Sequence, residues 1–199
     1  MTKIEEIRKK IRTKKESDFE RLTFAFSAED IELARELAKI DFSYYQNKYG
    51  RQINNSVDSS MVGILGEIAV YHELGSLQDF TDMSWLAGKE RISILDGKPD
   101  YQLADLECKQ VGENRKIEVK TIRFGDPEGQ ILVDHAHKYK NNNIDYVVFV
   151  QVMELDESWK AEIYNIADLN QIVASKVTTN CFGAPCYEVP KNQSVGKEN

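Results

Sequence analysis

Long apolar runs are missing from this 199-residue sequence. No stretch approaches the ~20 apolar residues that a helix needs to span a bilayer. The opening segment, MTKIEEIRKKIRTKKES, scatters isoleucines among charges and lacks the apolar centre of a secretory signal. Cysteine is scarce as well. Cys108, Cys181 and Cys186 form an odd set with no close pair, which points away from a disulfide framework and toward a reducing cytoplasm. Cys181 and Cys186 have no neighbouring histidine or cysteine to complete a zinc site. His135 and His137 are two apart, so a helix would separate their faces, and with His72 they make no ligand set. Internal repeats and long linkers are absent too.

Positive charge is in deficit. Lys and Arg total 26 against 33 Asp and Glu, a net charge of −7. Placement modifies this. Residues 1–21 hold eight basic residues (Lys3, Arg8, Lys9, Lys10, Arg12, Lys14, Lys15, Arg21) against five acids, a local +3, and the rest of the chain is −10. A nucleic-acid partner needs a local basic surface rather than a basic average. This segment offers one, although it reads equally as a solvated helix face. The composition, 41% hydrophobic and 30% charged, supplies enough apolar residues for a core.

Periodicity divides the chain. Ile4, Ile7 and Ile11 predict a thin amphipathic helix over residues 2–16. Residues 22–26 suggest a short strand. Ser27 with Asp30 reads as a helix cap, Ile31, Ala34, Leu37, Ala38 and Phe42 form a stripe, and Gly50 closes that helix. A second helix is expected from about Asp58 to Leu74, with Gly75 as its stop, and its centre is apolar nearly all round, as in a buried helix. Residues 76–98 read as irregular, with at most a short strand at Ile92–Leu95. A strand containing Tyr101, Leu103 and Leu106, a turn at Gly112-Glu113-Asn114 and a strand from Lys116 to Ile122 predict a hairpin. A helix follows from near Asp134 to the Asn141-Asn142-Asn143 run. Residues 145–152 form the most apolar strand, expected at the centre of a sheet. Ala161–Asn165 should pair with it, and Asp168–Ala174 reads as a short helix. The pattern implies an α/β or α+β domain over residues 22–190, with a central mixed β-sheet flanked by helices. Residues 1–21 form a basic extension and 191–199 a polar tail.

Chemistry concentrates in Lys98-Pro99-Asp100 and Arg115-Lys116-Ile117-Glu118-Val119-Lys120-Thr121. On a strand, Glu118 and Lys120 share one face and Ile117, Val119 and Thr121 the other. Asp100, on the partner strand, is expected beside Glu118. Two close carboxylates raise each other's pKa unless a cation lies between them. Mg²⁺ answers that need and keeps waters for chemistry. Lys120 can then hydrogen-bond the attacking water or the scissile phosphate, with its own pKa expected to fall.

Pro99-Asp100 followed by Glu118-Val119-Lys120 resembles the PD-(D/E)XK signature of restriction-endonuclease-like nucleases. The resemblance spans roughly residues 58–152. It implies a restriction-endonuclease-like fold and Mg²⁺-dependent (or Mn²⁺-dependent) hydrolysis of DNA phosphodiester bonds. Many members also carry a glutamate on a helix before the motif. Glu67, the one charged residue between Met61 and Tyr71, fits that position as a third metal ligand and catalytic residue. Thr121, Gln130, Lys138 and Lys140 are the candidate substrate contacts. Cleavage of both strands of a duplex raises a homodimer as a hypothesis. Other readings stay open: Glu118 and Lys120 as an ion-pair face, Asp100 as a turn residue, Glu67 as a surface residue on the helix flank, the rival Glu107-Cys108-Lys109 as the motif, and a non-catalytic nucleic-acid-binding or protein-interaction module on the same fold.

Overall fold

In a computed structural model, the structure describes residues 22–49, 56–76, 81–97, 100–110, 112–125, 130–155, 158–180 and 182–189. The expected N-terminal helix, the Gly50 stop, Pro99, Cys181 and the tail from 191 lie outside these residues.

Strand β1 (Leu22–Ala25) leads into α1 (Ala28–Tyr49). The cap is reciprocal. Asp30 N–H donates to Ser27 Oγ at 3.1 Å, and Ser27 N–H donates to Asp30 Oδ2 at 2.9 Å, which satisfies two groups at the helix start. Helix α2 (Val57–Gly75) starts on Ser56, whose Oγ accepts the Ser59 N–H at 3.1 Å. Its middle is buried almost without break because one side meets α1 and the other meets the sheet.

Next come β2 (Thr81–Trp85) and α3 (Leu86–Leu95), where the sequence pattern suggested irregular chain. Helix α3 has a weak apolar stripe and no side-chain cap. Tertiary contacts hold it instead, through Ala87 N–H to Asp105 O at 3.1 Å and through Arg91. Strands β3 (Leu106–Gln110) and β4 (Glu113–Arg123) form the expected hairpin, although β3 begins later than Tyr101 because residues 103–105 bend. After β5 (Ile131–Leu132) come α4 (Val133–Asn141), β6 (Tyr146–Leu155), β7 (Ser158–Asp168), α5 (Leu169–Val173), β8 (Val177–Thr179) and β9 (Pro185–Tyr187).

The main sheet has the order β1-β7-β6-β4-β3-β2. Among the described strands of this sheet only β4 and β6 pair in parallel, joined by the crossover through α4; the other pairings are antiparallel. A small sheet, β5-β9-β8, lies apart. Its strands of two or three residues are too short to show a periodic signal. The expected central strand is β6, which splits its side chains between two cores. Val148 and Val150 join Ile64, Leu65, Ile68, Ile117 and Val119 under α1 and α2. Val147 and Phe149 join Ala136, Tyr139, Ile144 and Ile172 under α4 and α5. The result is a mixed α/β fold, a mixed sheet with helices on both faces. Among the described residues no helix is long and apolar enough to cross a membrane.

One close approach locks α2 to the sheet. A Cβ at Gly66 would lie 1.9 Å from Thr121 Oγ1 and 2.9 Å from Thr121 Cβ. Thr121 is β-branched and rooted in a central strand, so it has little room to yield. Gly66→Ala should therefore destabilise the protein by about 1–3 kcal/mol through overpacking, despite the better helix propensity of alanine. Urea unfolding checks this, and a variant as stable as the parent would mean that α2 can slide on the sheet.

Candidate active site

The β3–β4 hairpin pairs Gln110 with Glu113 and Leu106 with Ile117. Gly112 occupies the left-handed region at φ 80° in that turn, as such tight connections require. Continuing this register one step places residue 105 across from 118. Asp105 is thus the acid that meets Glu118. Its N–H donates to Ile117 O at 3.1 Å, and its Oδ2 accepts the Val119 N–H at 2.7 Å. Lys120 Nζ donates to Glu118 Oε1 at 2.6 Å and lies 5.1 Å from the centre of the Tyr139 ring. Tyr139 projects from α4, and its phenol borders Lys120 and Glu118 on the cleft wall. The group opens into a cleft of about 510 Å³ between α3, residues 101–105, β4 and α4, with His135 and Lys138 of α4 also lining it.

The electrostatics follow from this crowding. Burial pushes the Asp105 carboxyl well above the usual carboxylate range, and the charges of Glu118 and Glu67 push it the same way. Lys120 and the Val119 amide oppose them without prevailing. Burial alone would lower the Lys120 pKa, but Glu118, with Tyr139 and Asp105 beside it, outweighs burial and raises it. The desolvation expected to lower this lysine is present but outweighed, and the carboxylates hold Lys120 as an ammonium. Burial, then the charges of Lys120 and Lys138, hold His135 below its ordinary value, against the pull of Glu118 and Asp134. Burial raises the Tyr139 phenol.

Of the residues singled out by sequence, Glu118, Lys120 and Lys138 reach the cleft. Asp100 does not line it. It is exposed, and its N–H donates to Ser93 Oγ at 2.8 Å. The Pro-Asp pair singles out residue 100, but a hairpin that pairs Gln110 with Glu113 sets residue 105 against 118. Counting outward from the glycine in the turn would have found it. Thr121 points to the opposite face of the sheet, against Gly66 of α2, and so away from the cleft. Gln130 and Lys140 are exposed, and neither lines the cleft. In the rival motif, Lys109 points to the exposed surface and pairs with Asp82 at 2.8 Å.

Glu67 is buried as expected, with partners other than a metal. Arg91 donates to both of its oxygens, at 2.6 and 3.0 Å, and Trp85 Nε1 donates to Oε2 at 2.8 Å. Arg91 Nε also donates to Asp41 Oδ2 at 2.8 Å. This charge cluster ties α1, α2 and α3 together. Among the described residues no group of three or more His, Cys, Asp or Glu is placed to hold a metal. Asp105 and Glu118 are the carboxylates brought side by side in the cleft, with Glu90 and His135 elsewhere on its lining. Comparison with models of known protein families and with curated proteins gives no match.

Proposed function

We propose that this chain is a Mg²⁺-dependent endonuclease with a restriction-endonuclease-like site, hydrolysing DNA phosphodiester bonds through Asp105, Glu118 and Lys120. The observation that carries this reading is that Asp105, bonded to the backbone on either side of residue 118, and Glu118, with an ammonium 2.6 Å away, line one open cleft. The donor chemistry fits a hard divalent cation. Asp105 is strained first by burial and then by the charges of Glu118 and Glu67, a cation beside the two carboxylates offsets both effects, and each carboxylate has lone pairs beyond those used by Val119 and Lys120. Two protein ligands suit Mg²⁺, which retains most of its waters. When bound, such an ion lowers the pKa of a coordinated water and neutralises charge on phosphoryl oxygens.

The chain supplies the rest. Asp105 is oriented by the Val119 amide and Glu118 by Lys120, so neither carboxylate needs to reorganise. Lys120, kept protonated, donates hydrogen bonds to the water or the scissile phosphate and stabilises negative charge as it grows; it does not remove the proton. The mixed sheet with helices on both faces and the crossover through α4 also agree with this kind of nuclease. Buried, unpaired Cys108 and Cys186 suit a reducing cytoplasm. The small donor set favours one other reading, a binding module that has lost or never had metal chemistry.

Plasmid and oligonucleotide cleavage in Mg²⁺ separates these. Glu118→Ala and Lys120→Ala should each lower the rate by about 10²–10³-fold with the fold intact by circular dichroism, and Asp100→Ala should cut like the parent. Undiminished cleavage by the first two variants, or no cleavage by the parent in Mg²⁺ or Mn²⁺, removes the assignment.

A further inference from the structure

One rim of the cleft differs in character from its floor. Tyr101 and Leu103 line it and are 49% and 56% exposed, although their neighbour Ala104 is buried in the core. The Tyr101 hydroxyl is hydrogen-bonded to the hydroxyl of Tyr44 on α1. The polar tip of the phenol is therefore anchored, and its ring stays half-exposed beside the site. An aromatic ring held in this way offers contact area with little rotamer entropy left to lose. The α4 side of the same cleft carries Lys138.

Resting on the nuclease reading, we infer that the bound strand is unpaired, with one of its bases stacked on Tyr101 and Leu103 and a nearby phosphate facing Lys138. An intact duplex stacks its bases on one another and shows the protein mainly sugar and phosphate. An apolar rim would then face a charged backbone. Duplex affinity also rests on neutralising many phosphates. Among the described residues lining this cleft, Lys120 is already paired with Glu118, Lys138 is the other lysine, and Glu90 adds negative charge. Base–aromatic stacking needs no such array and tolerates any sequence. The floor and the rim thus divide the work, with phosphate chemistry below and base contact at the mouth.

The test uses the full chain in EDTA and a short fluorescein-labelled oligothymidylate. The ligand is presented single-stranded, as a duplex with its complement, and with abasic sites replacing the bases. Anisotropy should show the single strand bound at least about tenfold tighter than the duplex or the abasic strand. Tyr101→Ala should weaken single-strand binding by about ten- to a hundredfold and leave abasic-strand binding unchanged. Tyr101→Phe, which keeps the ring, should retain most of the affinity. Equal affinity for single strand and duplex, or a Tyr101→Ala loss that is the same with and without bases, overturns the inference. Cleavage is read separately in Mg²⁺ and Mn²⁺. A chain that binds the single strand in this Tyr101-dependent way but cuts nothing sinks the nuclease assignment and leaves the unpaired-strand inference standing.

Discussion

Asp105→Asn is expected to abolish cleavage and, in the same protein, to raise the melting temperature of the metal-free chain. Asp105 is pushed well above the usual carboxylate range by burial and by the charges of Glu118 and Glu67. A carboxylate whose pKa is raised on folding opposes folding whenever it is ionised. Asparagine is close in shape, keeps an oxygen for the Val119 N–H and carries no charge. The gain should be about 1–2 kcal/mol, the size commonly recovered when a functional group that strains its site is replaced. That corresponds to about 2–8 °C in Tm for a chain this long.

The pH dependence is distinctive. Below the ordinary aspartate value of 3.8 the side chain is protonated folded or unfolded, so wild type and variant should differ little. As pH rises above it, the unfolded chain ionises first and wild type loses stability. That loss is complete only once pH has passed the raised folded value. The advantage of Asp105→Asn should therefore widen with pH. Saturating Mg²⁺ should narrow it, because the cation stabilises wild type by binding the folded state. Scanning calorimetry over a pH series, with and without Mg²⁺, measures all of this. A variant less stable than wild type at neutral pH, or one that still cuts, means that Asp105 is an ordinary buried hydrogen-bond acceptor.

The second large effect is at Arg91. Its guanidinium and the two carboxylates it serves, Asp41 and Glu67, are 13%, 13% and 8% exposed. Burial disfavours the charges of Arg91 and Asp41; at Arg91 the attraction of Glu67 and then Asp41 outweighs it, and at Asp41 burial prevails over the pull of Arg91. Removing one member of such a group strands the others, which typically costs about 3–5 kcal/mol. Arg91→Ala should fall in that range and lower Tm by about 6–20 °C. Neutralising the whole group with Arg91→Met, Asp41→Asn and Glu67→Gln together should recover much of the loss, because the desolvation penalty of the ions disappears with them. Glu67→Gln alone should leave Mg²⁺ affinity, measured by calorimetry, as it is in wild type. A large fall in that affinity would return Glu67 to the metal site, and an Arg91→Ala variant as stable as the parent would mean that water reaches the cluster.

The contrast between Glu118 and Glu67 shows what a sequence can and cannot announce. Both are acids set among apolar residues, and both stood out for that reason. For Glu118, strand alternation is enough to put Lys120 on its side of the sheet, since the two are neighbours in one element. For Glu67, the signal says only that a buried carboxylate needs a partner. The partner, Arg91, lies 24 positions away on α3, in a segment whose own pattern is too weak to mark it as a helix. Nothing local to residue 67 distinguishes a guanidinium from a metal ion. Asp100 failed for a related reason. A Pro-Asp pair is a local feature, and which residue faces Glu118 depends on where the hairpin reverses.

Local chemistry was sufficient to determine the buried helix α2, the central strand β6, the hairpin and its turn glycine, the cap on Ser27, and the shared face of Glu118 and Lys120. Each of these follows from periods of 3.6 or 2 residues, or from contacts within four positions along the chain. Tertiary structure decided the rest. It brought Asp105 rather than Asp100 to Glu118, turned Thr121 toward Gly66, paired Glu67 with Arg91, laid Tyr139 over Lys120, and left Tyr101 at the rim. The physical reason is that periodicity sets the direction in which a side chain points, whereas register and the packing of layers set what it meets there. Those depend on turn lengths and on cores assembled from distant segments.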